Sequence, residues 1–135
     1  MIKKMTNAEM ISRVNGIVSI QNKEEKECIN IFGTKAKLLY AITKNKHTMV
    51  ELLKPYEESL KKIMDECHVR NLETENGIKM QVENEFIEKW NEKVNELKNI
   101  EVEVPVHMVN IDAVDGSDLS ITEFEYIDFM IDDSE

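Results

Sequence analysis

The chain has 135 residues, of which 41% are hydrophobic and 33% charged, with 4 Gly, 2 Pro and 2 Cys. A chain of this length can bury about two-thirds of the surface that its unfolded form exposes, so one domain covering residues 1–135 can build a core without disulfides or metal. The formal net charge of −10 opposes contact with phosphate backbones and anionic lipid. Direct nucleic-acid binding and membrane binding are therefore disfavoured.

The cellular compartment of the protein is inferred from its cysteines and from the length of its apolar runs. Cys28 and Cys67 are unevenly placed, and the start of the chain turns polar before it could supply the apolar stretch of a secretory signal. No run approaches the roughly 18 apolar residues that a membrane span needs. These features favour a cytoplasmic protein with reduced thiols.

The first predicted helix follows the capping-box pattern Thr6-Asn7-Ala8-Glu9. An apolar stripe at three- and four-residue spacing continues it, made of Met10, Ile11, Val14, Ile17 and Val18. Gly16 is expected to weaken this helix by about 1 kcal/mol relative to Ala. The polar run 21–27 predicts a loop or a frayed helix end.

A heptad pattern over residues 34–69 predicts one long helix, with a kink rather than a break at Pro55 because the apolar stripe keeps its phase across it. Asn76-Gly77 predicts a type I′ hairpin within residues 71–82. A one-sided apolar stripe then predicts a third helix, about Glu83 to Asn99, that returns antiparallel along the long one.

After Ile100 the apolar period changes to two, which predicts an extended segment with Val102, Val104 and Val106 on one face. Pro105 makes it an edge strand or two pieces. A second capping box, Ser120 to Glu123, opens a last helix in which Phe124, Ile127 and Ile131 share a face. The fold class predicted from these elements is α+β: a long antiparallel helical hairpin with a small β element and a short C-terminal helix.

Charge is distributed unevenly along the chain. Residues 1–70 carry 13 Lys and Arg against 9 Asp and Glu, whereas residues 71–135 carry 4 against 18. One interpretation is a solvated acidic surface, and the other is a docking face for a basic surface on another protein. Mimicry of nucleic-acid phosphates stays open. The predicted partner-binding residues are Glu101, Glu103, Asp112, Asp115, Asp118, Glu123, Glu125, Asp128, Asp132 and Asp133.

Motifs for catalysis or cofactor binding are weak. His47, His68 and His107 stand outside HxxxH and HExxH spacings, and neither cysteine lies in a CxxC pair. His107 is interpreted as an exposed strand residue. Residues 112–118 lack the calcium-loop pattern because their third and sixth positions are Val114 and Ser117. We expect no metal, no cofactor and no catalytic residue, with a thiol or metal enzyme as the third hypothesis.

Two stretches carry a resemblance to a known family: YAITKNKHTMVELLKPYEES, at 40–59, and LSITEFEYIDFMIDD, at 119–133. They resemble a family of small phage and prophage proteins of undefined function from Gram-positive bacteria. The resemblance implies an origin and a shape but supplies no functional residues.

Together, the resemblance and the charge pattern predict a non-enzymatic acidic binding protein. It would inhibit or redirect a host protein, such as an antiviral defence component, by contacting a basic surface of a host or phage protein. The alternative is a virion or tail accessory or assembly protein. Self-association stays open, because apolar stripes of the long and third helices can close within one chain or between chains.

Overall fold

The computed structural model describes residues 1–133 and has an α+β fold. The helices are α1 (Asn7–Glu27), α2 (Ala36–Leu52), α3 (Lys54–Glu66), α4 (Ile87–Lys98) and α5 (Ile121–Glu125). The strands are β1 (Ile2–Thr6), β2 (Arg70–Thr74), β3 (Gly77–Gln81), β4 (Glu101–Pro105), β5 (Val109–Asn110) and β6 (Ile131–Asp132). They form three two-stranded sheets, β1–β4, β2–β3 and β5–β6.

The sheet of β1 and β4 joins the start of the chain to its acidic half. The strands are antiparallel, from Ile2 opposite Pro105 to Thr6 opposite Glu101. As predicted, Val104 and Val106 are buried. β1 itself was not predicted, because its five residues have no pattern that marks them as a strand without their partner.

Helix α1 begins where predicted but ends later. The Glu9 amide donates to the Thr6 hydroxyl (3.1 Å), as the capping pattern requires. The predicted loop at 21–27 is wrong, since α1 continues to Glu27 and ends at Cys28 in a left-handed conformation (φ 55°). The Glu24 carboxylate accepts the amides of Ile31 and Phe32 (2.9 and 3.2 Å), which ties this last turn to the following connection.

The predicted long helix is present as α2 and α3, with Leu53 between them. Its ends lie two to three residues inside the predicted bounds. Leu53 stays near helical geometry (φ −85°, ψ −7°), and its amide still donates to the Met49 carbonyl at 2.9 Å. Pro55 occupies the first turn of α3, where its missing N–H is tolerated. The interruption is therefore limited to one residue, consistent with the predicted kink.

The hairpin β2–β3 is confirmed, but its turn differs from the prediction. Thr74 pairs with Gly77, so Glu75 and Asn76 are the central residues. A type I′ turn needs positive φ at both, and within residues 1–133 the non-glycine residues with positive φ are Cys28 and His68. Gly77 instead takes the positive φ, 111°, on the far side of the turn.

Helix α4 follows a short 3₁₀ turn at Asn84–Phe86, so it begins four residues later than predicted. It packs mainly on α3. The Lys93 ammonium binds the Glu66 carboxylate at 2.7 Å, and Lys89 lies 3.9 Å from the same carboxylate. The hydrogen bond from Lys93 lowers the pKa of Glu66, and Glu66 in turn raises the pKa of Lys93.

The last predicted helix is much shorter than expected. Both halves of its capping box form between Ser120 and Glu123, but α5 ends at Glu125. A 3₁₀ turn at 128–130 follows, and Ile131 then pairs in parallel with Val109. Phe129 and Met130 are buried by this path. The chain after α5 therefore buries Phe129 and Met130 and pairs Ile131 with β5 instead of continuing as a helix.

One core connects these elements. Its fully buried side chains come from α1, α2, β4 and the C-terminal turns, and the largest are Met10, Ile17, Leu38, Ile42, Met49, Val104, Ile127 and Met130. Gly16 is buried under the Tyr126 ring, and an added Cβ there would overlap that ring. The close packing of α1 against the C-terminal segment therefore requires a residue without a side chain at position 16.

We predict that Gly16→Ala lowers the free energy of unfolding by about 1–3 kcal/mol, because overpacking against Tyr126 outweighs the gain of about 1 kcal/mol in helix propensity. Urea unfolding followed by circular dichroism measures the change. Ser19→Ala, at an exposed position of the same helix, is the control and should leave stability within about 0.5 kcal/mol. A Gly16→Ala protein as stable as the parent would contradict the packing role.

Candidate functional site

The ten acidic residues predicted to contact a partner fall into three groups. The first is Glu101 and Glu103, exposed on β4. Glu103 lies directly opposite Lys4 in the β1–β4 ladder. Opposite charges at facing positions of a sheet attract each other, so this strand face is of mixed charge rather than acidic.

The second group is Asp112, Asp115 and Asp118, in the segment between β5 and α5. The Asp118 amide donates to the Ile31 carbonyl at 2.7 Å, which holds this segment against the α1–α2 connection. All three side chains are exposed. Among residues 1–133, no Lys, Arg or His side chain lies within salt-bridge distance of these three carboxylates.

The third group follows on α5 and the C-terminal turns: Glu123, Glu125, Asp128, Asp132 and Asp133. Glu123 is half-buried because its carboxylate accepts the Ser120 amide at 3.0 Å. The other four are exposed. Eight of the ten residues thus lie within the segment 112–133, where Asp112 borders a cleft beside α2 and Glu125 and Asp128 border another beside α1, and the remaining two lie on the separate sheet of β1 and β4.

Cations of the N-terminal half hold this segment by its backbone. Lys3 donates to the Phe129 carbonyl at 2.6 Å, and Lys35 donates to the Asp112 carbonyl at 2.8 Å. Arg13 donates to the Glu125 carbonyl at 3.0 Å. The side chains of Asp112 and Glu125 are exposed, and neither carboxylate has an ion pair among residues 1–133.

Arg13 makes the most extensive of these contacts. Besides the Glu125 carbonyl, it binds the Asp128 carboxylate at 3.0 Å and lies over the Phe129 ring, 4.8 Å from its centre. Glu9 and Ser12 border the same shallow cleft of about 420 Å³. One guanidinium thus fixes the C-terminal turn against the first half of α1.

A larger cleft, of about 700 Å³, lies between the start of α2 and the β4–β5 connection. Tyr40 and His107 line it with their rings edge to face, 5.2 Å between centres, and Lys37 and Asp112 are at its border. The interpretation of His107 as an exposed strand residue is wrong, because His107 is half-buried and follows β4. The preceding strand ends at Pro105, which frees the chain to turn toward α2.

Asn45 fixes the position of His107. Its side-chain amide donates to the His107 carbonyl at 2.9 Å, and its oxygen accepts the His107 amide at 2.8 Å. Sequence reasoning missed Asn45. The available signal was its spacing, since it lies three residues after Ile42 and four before Met49 on the buried stripe of α2, where a polar residue needs hydrogen-bonding partners.

The cysteines and histidines considered for catalysis lie on different elements, apart from the neighbours Cys67 and His68. Cys67 is buried at the end of α3, Cys28 is exposed at the end of α1, and His107 packs on Tyr40. His68 contacts Phe86 with ring centres 4.9 Å apart, and His47 is exposed on α2. Within residues 1–133, no three His, Cys, Asp or Glu side chains are grouped so that they could hold a metal ion.

Comparisons with known proteins add no relative. No protein-family model, curated protein or solved structure matches this chain. The resemblance to phage and prophage proteins therefore stays a prediction. In the described part of the chain, no helix combines the length and the apolar character needed to cross a bilayer.

We predict that Asn45→Ala lowers the free energy of unfolding by about 2–4 kcal/mol, because it leaves the buried amide and carbonyl of His107 without partners. The change is measured by urea unfolding, and a shift of the Tyr40 and His107 ring resonances in NMR spectra reports the local effect. Asn15→Ala, at an exposed asparagine of α1, is the matched control and should cost less than about 0.5 kcal/mol. Equal effects of the two substitutions would rule out the positioning role.

Proposed function

We propose that this chain is a non-enzymatic binding protein, encoded by a phage or prophage, that inhibits or redirects a host protein in the cytoplasm of the infected cell. The partner offers a basic surface, and a component of antiviral defence is the kind of host protein we expect. The segment 112–133, called here the acidic segment, makes the contact.

The observation that carries this proposal is the way the acidic segment is held. Lys3, Arg13 and Lys35 bind its carbonyl oxygens, so the segment is fixed without neutralising most of its carboxylates. Asp112, Asp115 and Asp118 are exposed and have no ion pair among residues 1–133. A carboxylate that is fixed in place and still hydrated is suited to fast association with a basic partner.

Backbone anchoring also lowers the cost of binding. A flexible acidic tail would have to be ordered when it meets its partner, which costs free energy for each immobilised residue. The hydrogen bond from the Asp118 amide to Ile31 and the capping box at Ser120 order this segment beforehand. An ordered acidic surface therefore favours a specific docking site over a merely solubilising tail.

The proposal includes the shape of the rest of the molecule. We infer that the long helix, present as α2 and α3, and α4, joined to it through β2–β3, form a long antiparallel helical hairpin that serves as the frame. Tyr56 and Lys98 border one cleft between the two helices, and Lys89, in the first turn of α4, lies 3.9 Å from the carboxylate of Glu66, the last residue of α3. An early residue of each helix thus lies near a late residue of the other, as antiparallel packing requires.

We predict that the triple variant Asp112→Asn, Asp115→Asn, Asp118→Asn binds its partner at least about tenfold more weakly at 50 mM salt. The partner is first identified by affinity capture from host cells with mass spectrometry and then purified. Affinity is measured by calorimetry at salt concentrations from 50 to 500 mM. Binding of the parent should weaken clearly over this range, and the triple variant should show a shallower salt dependence.

The matched control is Glu57→Gln, Glu58→Gln, Asp65→Asn, which removes three exposed carboxylates from α3. Both triple variants change the net charge equally, so a loss of affinity confined to the first assigns the contact to the acidic segment. Binding that is insensitive to salt, or equal losses in both variants, would reject the proposed surface. Recovery of the protein in purified virions without host-protein capture would favour the assembly role instead.

A further inference from the structure

The hairpin β2–β3 has little support from the rest of the chain. All ten of its strand residues are exposed. Its extensive contacts are between its own two strands, and no other described element packs on either strand to a comparable extent. An isolated two-stranded hairpin is marginally stable in water at best, and three or more strands or a covering element are needed. An added strand would therefore be expected to stabilise this ribbon.

Strand β3 exposes apolar side chains on one face. Ile78 is 70% exposed and Met80, which borders the cleft between α3 and α4, is 56% exposed; Val82 follows at the same two-residue spacing, half-buried and one residue beyond β3. In the ladder, Ile78 and Met80 lie opposite Glu73 and Asn71, so the apolar row belongs to β3 and not to β2. An exposed apolar row on an edge strand is a site for pairing with another strand.

The unpaired backbone groups of β3 lie beside the same residues. Thr74 and Gly77 form the hydrogen-bonded pair next to the turn. Because hydrogen-bonded and non-hydrogen-bonded pairs alternate along an antiparallel ladder, Leu72 and Lys79 form the next hydrogen-bonded pair. The alternation of antiparallel pairing then leaves the amides and carbonyls of Ile78 and Met80 on the outer edge of the ribbon. These groups can form a second ladder with an added strand.

We propose that the outer edge of β3 pairs antiparallel with the same edge of a second copy of this chain, giving a four-stranded sheet across a two-fold axis at Met80. In this register, Met80 faces Met80 of the other copy, and Ile78 faces Val82. Lys79 faces Gln81, so no like charges are opposed. The alternative register centred on Lys79 would place two ammonium groups directly opposite each other, which is unfavourable.

Charge favours a second copy as the occupant of this edge. Residues 76–82 contain one Lys and no Asp or Glu, although the whole chain has a net charge of −10. Two copies can therefore meet at β3 without bringing carboxylates together, whereas β2 carries Glu73 and its turn carries Glu75. A two-fold contact also matches each apolar residue of the row with an apolar residue of the other copy.

The first test is the mass of the full chain by sedimentation equilibrium between 1 and 500 µM. We expect a reversible dimer of twice 15.7 kDa. Met80→Lys places like charges at the two-fold axis and should raise the dimer dissociation constant at least about tenfold. Leu72→Glu also replaces an exposed apolar residue with a charged one, on β2 where its carboxylate faces Lys79 of the same chain, and should leave the constant within about twofold. A monomer throughout this range, or equal effects of both variants, would overturn the proposal.

The second test compares cross-linking at two positions and so reports the register of the pairing rather than its dissociation constant. In a Cys28→Ser background, Met80→Cys should form a disulfide-linked dimer under mild oxidation, because directly opposed strand residues lie within disulfide range. Lys79→Cys, facing Gln81 of the other copy, should cross-link far less. Preferential cross-linking at position 79, or capture of β3 only by a different protein, would contradict the assigned contact. Far-UV circular dichroism verifies that each variant is folded.

Discussion

The structure depends on contacts between the first few residues and the last third of the chain. β1 pairs with β4, the terminal ammonium group of Met1 donates to the Val106 carbonyl at 3.4 Å, and Lys3 donates to the Phe129 carbonyl. Asn7 adds a buried hydrogen bond to the Leu97 carbonyl at 2.9 Å. These bonds bring a basic start against an acidic end, and the core of α1, α2 and the C-terminal turns forms around them.

This arrangement changes the meaning of the uneven charge along the sequence. A basic half and an acidic half suggest two separated surfaces, yet the fold interleaves them. Glu103 lies opposite Lys4 in the β1–β4 ladder, and Asp128 forms an ion pair with Arg13 beside α5. Asp112 differs, because Lys35 donates to its backbone carbonyl and its exposed side chain has no ion pair in the described part of the chain. Cations therefore oppose part of the acidic half, whereas Asp112, Asp115 and Asp118 have no ion pair among residues 1–133.

Local patterns predicted local structure well. Both N-terminal caps, the hairpin and the helices on either side of it follow from spacing and side-chain chemistry within a few residues, which short-range patterns record. Features that depend on distant partners were missed. β1 exists because β4 pairs with it, and α5 ends early because Ile131 pairs with Val109. The cleft at Tyr40 and His107 likewise depends on Asn45, whose two hydrogen bonds cross 62 positions of sequence.

The pairing of β1 with β4 also constrains how the molecule is made. Synthesis runs from the N-terminus, and Glu101, the partner of Thr6, follows it by 95 positions. The first strand therefore leaves the ribosome long before any partner strand exists, while α1 and α2 have all the residues they need to pair at once. Contacts of this sequence separation close slowly, since the chain must first lose the entropy of a large loop. A nascent chain of this protein would thus expose an unpaired basic strand until β4 has been synthesised.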